Sequence, residues 1–396
     1  MTTRIHYFLI VLLIIAFGCT RKIQEYYNQG IAKKNIEDFE GAKISFTKAI
    51  EIDSSFAEAF NQRGLVELSL GDYVSAYADF CKTKKLEPSF AEAYYNLGYL
   101  KQQHFEKEKS LFAVESGQIL WFELDKAIEL DPKNSKYYFT RGSFKSNLQE
   151  HKDAILDFTK AIENDSNFAD AYFKRGRELF LLSEDLNKAM EDLNKAIRLD
   201  SSISEAYHFR AIRKLQLNDN YGALLDYNKL IEICKEFDYR YYSALLERGE
   251  LKTDIKDDFN AINDYNIVIS KYLHESENKF GFLWKDAILG RAKSKYNLKD
   301  YRGAIMDLDI LIKVHPEFSD AFAMRARVLW HSQFIDKAIT DLNKAIELDV
   351  KNAFAYYLRG MIKIDNGQKE SGCLDLSKAG ELGFEDAYKI IKSHCL

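Results

Sequence analysis

The hydrophobic and polar positions of residues 319–352 fall in two helical runs. The stretch reads SDAFAMRARVLWHSQFIDKAITDLNKAIELDVKN, with a short polar turn between the runs and Leu-Asp plus a loop closing them. The layout recurs with a period of 34. Residues 192–200 read DLNKAIRLD, 341–349 DLNKAIELD, 124–131 LDKAIELD and 46–53 FTKAIEID. A period of this length predicts stacked supersecondary units rather than one globular core. Ten units follow, at 23–56, 57–90, 91–134, 135–168, 169–203, 204–241, 242–284, 285–318, 319–352 and 353–386.

The eighth position of each unit is small: Gly30, Gly64, Gly98, Gly142, Gly176, Ala211, Gly249, Ala292, Ala326 and Gly360. Position 20 is small in nine units, from Ala42 and Ala76 to Ala338 and Gly372. Tyr or Phe is common at the fourth place. A glycine inside a helix costs about 1 kcal/mol relative to alanine. Close approach of two helix backbones offsets that cost, because neighbouring aromatic groups then bury fully at ~1.5–3 kcal/mol each. Position 8 of the first helix is therefore expected to meet position 20 of the second. The three prolines, Pro88, Pro132 and Pro316, all fall at position 32, where a helix must already have ended.

These positions resemble the tetratricopeptide repeat, whose pattern has small residues at 8, 20 and 27, aromatic residues at 4 and 24, and proline at 32. The resemblance covers about 360 of the 396 residues. It implies an all-α, right-handed superhelix (an α-solenoid) of about ten helix-turn-helix repeats, with first helices lining a concave groove that binds a protein or peptide. Two units depart from the period. The third carries ten extra residues within 102–121, and the seventh about nine near 275–284. The end of the chain reads as a C-terminal cap over 385–396, a polar helix from about 385 to 393.

The first twenty residues, MTTRIHYFLIVLLIIAFGCT, follow another pattern. Arg4 precedes an apolar run from Phe8 to Phe17, too short for a hydrocarbon core that needs about 20 residues. This is the layout of a signal peptide over 1–18. Ala16-Phe17-Gly18-Cys19 resembles a bacterial lipoprotein lipobox. That resemblance implies cleavage before Cys19, lipidation of Cys19, a short linker over 19–22 and a membrane partnership through the N-terminal lipid. An ordinary signal peptide with an incidental cysteine is the alternative. Thr20 is not the Asp that holds some lipoproteins in the inner membrane, which favours the outer membrane.

Four further cysteines, Cys81, Cys234, Cys373 and Cys395, match no metal or redox spacing. Cys81 and Cys373 fall on second-helix positions, where a free Cys packs as a small hydrophobe. No disulfide framework is implied, and a Cys373–Cys395 bridge stays open. The formal charge of −5 carries no basic stripe, so nucleic acid is not expected. The eight histidines fall at unrelated phases, and no phosphate loop or nucleophile elbow occurs. No enzyme activity, cofactor or metal is expected.

Positions 2, 5, 9 and 12 of each first helix should share the inner face. They give Tyr95 and Tyr99 in unit three, Phe139 in unit four, and Phe173, Arg177 and Phe180 in unit five. Units eight to ten give Tyr296, Arg327, Trp330, Tyr357 and Met361. Aromatic groups interleaved with arginine are common anchors at interfaces. Some of these rings are equally expected to pack between units. Position 7 is arginine in eight units (Arg63, Arg141, Arg175, Arg210, Arg248, Arg291, Arg325, Arg359). Aspartate near position 23 predicts an Arg–Asp ladder within units. The lysine/asparagine clamp that some relatives use for C-terminal carboxylates is absent at Phe139, Ser143 and Phe173. The expected function is a non-catalytic interaction scaffold of the bacterial envelope, with an outer-membrane assembly factor or an accessory subunit of an envelope enzyme as alternatives.

Overall fold

The computed structural model describes residues 2–104, 118–234, 238–272 and 281–395. Among them all regular structure is helical, in 21 helices that fall into two compact units. The first unit, 1–200, holds α1 (Thr2–Asn35), α2 (Phe39–Ile52), α3 (Ala57–Ser69), α4 (Tyr73–Leu86), α5 (Ala91–His104), α6 (Gln118–Leu130), α7 (Ser135–Asn147), α8 (His151–Asn164), α9 (Ala169–Leu182) and α10 (Leu186–Leu199). The second, 201–396, holds α11 (Ser204–Gln216), α12 (Asn220–Ile233), α13 (Tyr239–Asp254), α14 (Asp258–Tyr272), α15 (Gly281–Asn297), α16 (Tyr301–Val314), α17 (Ser319–His331), α18 (Ile335–Leu348), α19 (Ala353–Asp365), α20 (Lys369–Glu381) and α21 (Asp386–His394). Within each unit, consecutive helices pack as antiparallel pairs stacked on the next pair.

The turn inside each pair is built the same way. Position 15 is left-handed in nine repeats, at Glu37, Gly71, Gln149, Ser183, Asn218, Lys256, Lys299, Gln333 and Gly367. In most of them the following N–H reaches back five residues, as from Asp38 to the Lys33 carbonyl at 3.0 Å and from Gln368 to Lys363 at 2.8 Å. Such bonds satisfy carbonyls that a helix end leaves open. Asp38, Asp72, Asp185, Asp219 and Asp300 then cap the second helix. Pro88, Pro132 and Pro316 lie in the connections between repeats, where no helical N–H is needed.

Packing of the small positions differs in part from the expectation. A Cβ placed on Gly30, Gly64, Gly142 or Gly249 would first strike the position-24 ring of Phe46, Phe80, Phe158 or Tyr265, and one on Gly98 would strike Leu124. Position 20 is the nearest neighbour only where position 24 is the shorter Leu193 or Leu376 and the backbones close in. There a Cβ on Gly176 would come within 3.1 Å of the Ala189 carbonyl oxygen, and one on Gly360 within 2.9 Å of that of Gly372. Phe46, Phe80 and Phe158 have no exposed surface.

Other expectations need correcting. Residues 19–22 form no separate linker, since α1 runs unbroken from Thr2 into the first repeat helix. The side chains of the proposed signal segment 1–18 lie outside the described residues, as do 105–117 and 273–280 of the two insertions. Residues 281–284, assigned to the second insertion, are the first turn of α15. Among the described residues no helix is long and apolar enough to cross a membrane. Cys373 is not a free packed thiol: it is disulfide-bonded to Cys395. The bridge ties the end of α21 to α20, on which Ala387, Ile390 and Ile391 also pack.

Candidate functional site

The position-7 arginines form the ladder within repeats. Each donates two hydrogen bonds to an aspartate of the second helix, as Arg63 to Asp79, Arg175 to Asp192 and Arg291 to Asp307, at 2.7–2.9 Å. Arg359 completes it with Asp375. Position 11 adds a second cation to the same carboxylate, with Lys145, Lys214, Lys252, Lys295 and Lys363 at 2.8–2.9 Å. The third guanidinium nitrogen reaches the preceding repeat, from Arg141 to Asp125, Arg325 to Asp309 and Arg359 to Asn343. These arginines are committed to holding repeats together.

Three of the eight rungs lack that lysine: position 11 is leucine in repeats five and nine (Leu179, Leu329) and an acid in the second. Position 11 of the second repeat is Glu67, 4% exposed, with one carboxylate oxygen lacking a hydrogen-bond partner. Burial and the neighbouring Asp79 carboxylate push its carboxyl up to about 7, against the pull of Arg63 and Lys43.

In the first unit the candidate face is largely used internally. Tyr95 stacks on Tyr137 at 5.0 Å and on Tyr99 at 6.2 Å, and its hydroxyl accepts from Thr140. Burial pushes the Tyr137 hydroxyl up to about 12, with help from Glu92. Phe139 packs on Phe158 and Phe168. Phe173 is 5% exposed and belongs to the core, so it offers no surface to a ligand, contrary to its assignment to the face. Phe180 is half-buried.

Arg177 is also committed. Its Nε and Nη2 donate to Glu178, and Nη2 donates to Ser146 at 2.7 Å. Glu178 is fully buried and also accepts from Ser146 at 2.8 Å, while His151 Nδ1 lies 2.6 Å away. Burial pushes the Glu178 carboxyl up, but the hydrogen bonds from Arg177, His151 and Ser146 outweigh it and hold the group below its ordinary range. Ser146 points its proton at the carboxylate, not at the imidazole.

The second unit arranges its candidates differently. Arg327 of α17 lies over the Tyr296 ring of α15, 4.6 Å from its centre, and 5.8 Å from that of Phe354 on α19. Three first helices thus meet around one guanidinium. Tyr296 bonds His331 at 3.2 Å, and Trp330 meets the same imidazole edge-on at 5.2 Å. Tyr357 packs on Phe384 at 4.6 Å. Tyr296, Arg327, Trp330, Tyr357 and Phe354 are all half-buried and keep accessible surface. Phe354, His331 and Phe384 were not among the sequence candidates. Phe354 occupies position 2, so the face rule could have found it; nothing in the pattern marked the other two. Among the described residues no three His, Cys, Asp or Glu side chains converge as a metal site.

Helix pairs, left-handed position 15 and aromatic-over-glycine packing together define a repeat solenoid. Comparison with protein families gives its kind. Models described as "Tetratricopeptide repeat" match residues 26–56, 135–168 and 169–203, and a second such model matches 289–362. A tetratricopeptide repeat protein from Parabacteroides merdae ATCC 43184 is similar in structure, with TM-score 0.53 and 19% identity over 66% of this chain and 99% of that one. YrrB, "a TPR protein with an unusual peptide-binding site", has TM-score 0.37 and 26% identity over 48% of this chain and 96% of its own. Pseudomonas aeruginosa pilF has TM-score 0.48 and 17% identity over 59% and 96%. No curated protein matches the sequence. The chain is built of tetratricopeptide repeats.

Proposed function

We propose that this chain is a non-catalytic scaffold of the bacterial cell envelope that binds a protein or peptide segment on the shared face of α15, α17 and α19. Tetratricopeptide repeats are in general protein-interaction scaffolds. The observation that carries the assignment to this face is that Tyr296, Arg327, Trp330, Phe354 and Tyr357 come together from three helices around an arginine with no acid partner among the described residues and keep accessible surface, whereas in the first unit Phe173 is buried and Arg177 is paired with Glu178. Aromatic rings around an arginine are the composition of interface hot spots.

Attachment through Cys19 belongs to the same proposal. Cys19 is exposed, as a lipid-bearing residue must be. The Cys373–Cys395 disulfide fits an oxidising compartment, where such bonds persist. Thr20, where some inner-membrane lipoproteins have Asp, favours the outer membrane, and in this reading the scaffold faces the periplasm.

The test is affinity purification from membranes with mass spectrometry, comparing the wild type, Trp330→Ala/Tyr357→Ala and Leu374→Ser. Leu374 lies on the second helix of the last repeat and is 73% exposed. Partners should be retained by Leu374→Ser and lost with the double variant at unchanged melting. Equal recovery by all three contradicts the assignment. Cys19→Ser should move the protein out of the membrane fraction; if it stays bound, the anchor lies elsewhere.

A further inference from the structure

We infer that Arg327 is the receptor for a carboxylate of the bound segment, so that the ligand is a peptide presenting a carboxylate next to an apolar or aromatic side chain. The inference rests on the reading that the α15–α17–α19 face binds a protein segment, and it names the chemistry of that segment.

The contrast among the arginines carries it. Each position-7 arginine gives its fork to an aspartate. Arg177, at the same repeat position as Arg327, gives its fork to Glu178 and Ser146. Arg327 instead lies against two rings, Tyr296 at 4.6 Å and Phe354 at 5.8 Å. No described residue accepts a hydrogen bond from its guanidinium, and none forms an ion pair with it. The residue after Arg177 is the acid that takes it; the residue after Arg327 is Val328, which has no exposed surface.

A guanidinium held by ring faces has its orientation settled while all five N–H donors stay unused. Those donors lie in one plane and match the two oxygens of a carboxylate. Because the rings already restrict the side chain, little further ordering is needed when the anion arrives. The Tyr296–His331 hydrogen bond fixes the ring that supports the cation. Trp330 and Tyr357 then provide apolar surface for the side chain next to the carboxylate. Carboxylate recognition by this arginine differs from the lysine/asparagine clamp, which the chain lacks.

A carboxylate can come from the C-terminus of a peptide or from an Asp or Glu side chain, and the test separates them. Three fluorescein-labelled probes are titrated into the purified full-length chain by fluorescence anisotropy. The first is Gly-Ser-Gly-Ser-Leu-Phe with a free C-terminus, the second the same peptide amidated, and the third an amidated peptide with Glu before Leu-Phe. The free acid should bind, and amidation should weaken it about 10- to 100-fold, the range of a charge-assisted pair. Arg327→Gln should produce the same loss, with Arg327→Lys between the two and melting unchanged for both. Tight binding of the third probe assigns the side chain as the source. Equal affinity for acid and amide overturns the inference, as does an unchanged affinity in Arg327→Gln. If Trp330→Ala still weakens those probes, the face is a binding face that reads no carboxylate. No binding by any probe at about 1 mM also overturns it, and recovery of membrane partners then decides the binding face separately.

Discussion

Phe80 lies over Gly64 so closely that a Cβ built on the glycine would come within 2.7 Å of its ring. The same relation links Gly30 with Phe46 and Gly249 with Tyr265. These repeats lock their two helices by sliding a flat ring into the space of a missing methyl group. Gly64→Ala should lose about 1–3 kcal/mol from overpacking, although alanine favours a helix by about 1 kcal/mol. Repeats eight and nine pair Ala292 with Leu308 and Ala326 with Leu342, all without exposed surface. Adding Phe80→Leu to Gly64→Ala should therefore recover much of the loss in urea unfolding. A Gly64→Ala variant as stable as wild type would contradict this packing.

Arg175 and Asp192 form the most buried rung of the ladder, at 8% and 1% exposure. Removing one partner leaves the other charge buried without compensation, whereas removing both does not. Arg175→Leu and Asp192→Leu should each cost more than about 2 kcal/mol, and the double variant less than their sum by about 1–3 kcal/mol. Additive losses in a thermal double-mutant cycle would show that the pair is not coupled.

Glu67 makes stability depend on pH. Its ordinary value is 4.5 and its folded value about 7, so the folded state binds the proton more tightly. The stabilisation is fully present below the unfolded value and is lost as pH rises through the folded one. Glu67→Gln should flatten the change in melting temperature between about pH 5 and pH 8 and raise melting at the upper end. Glu67→Lys should do as well or better, since it restores the Lys–Asp contact of Lys145 and Lys252. An unchanged pH profile in Glu67→Gln would assign the dependence to another group.

Gln333 turns the chain between α17 and α18 at φ 66°. A side chain in that region costs about 1–2 kcal/mol that glycine avoids. Gln333→Gly should raise the unfolding free energy by up to about 1 kcal/mol, and Gln333→Val should lower it. The reverse order would mean that the turn relaxes.

Much of the fold was legible because small residues recur at one phase, and only close helix pairing explains so many glycines inside helices. The left-handed position 15 was not legible. Seven of its nine residues are Glu, Gln, Ser, Asn or Lys, chosen for exposure rather than for backbone freedom. Phe173 was misplaced because position 5 faces inward only if the neighbouring first helix leaves room. Arg177 and Arg327 share one repeat position, yet one is paired and the other unpaired. Their next residues, Glu178 and Val328, held that distinction, but its meaning depends on burial that spacing alone does not give.

Site-specific photo-cross-linking in cells tests the binding face most directly. A benzoylphenylalanine at 330 or 357 should yield a discrete adduct with a protein other than this chain, and one at 374, on the second-helix face, should not. Adducts from 374 alone would contradict the account.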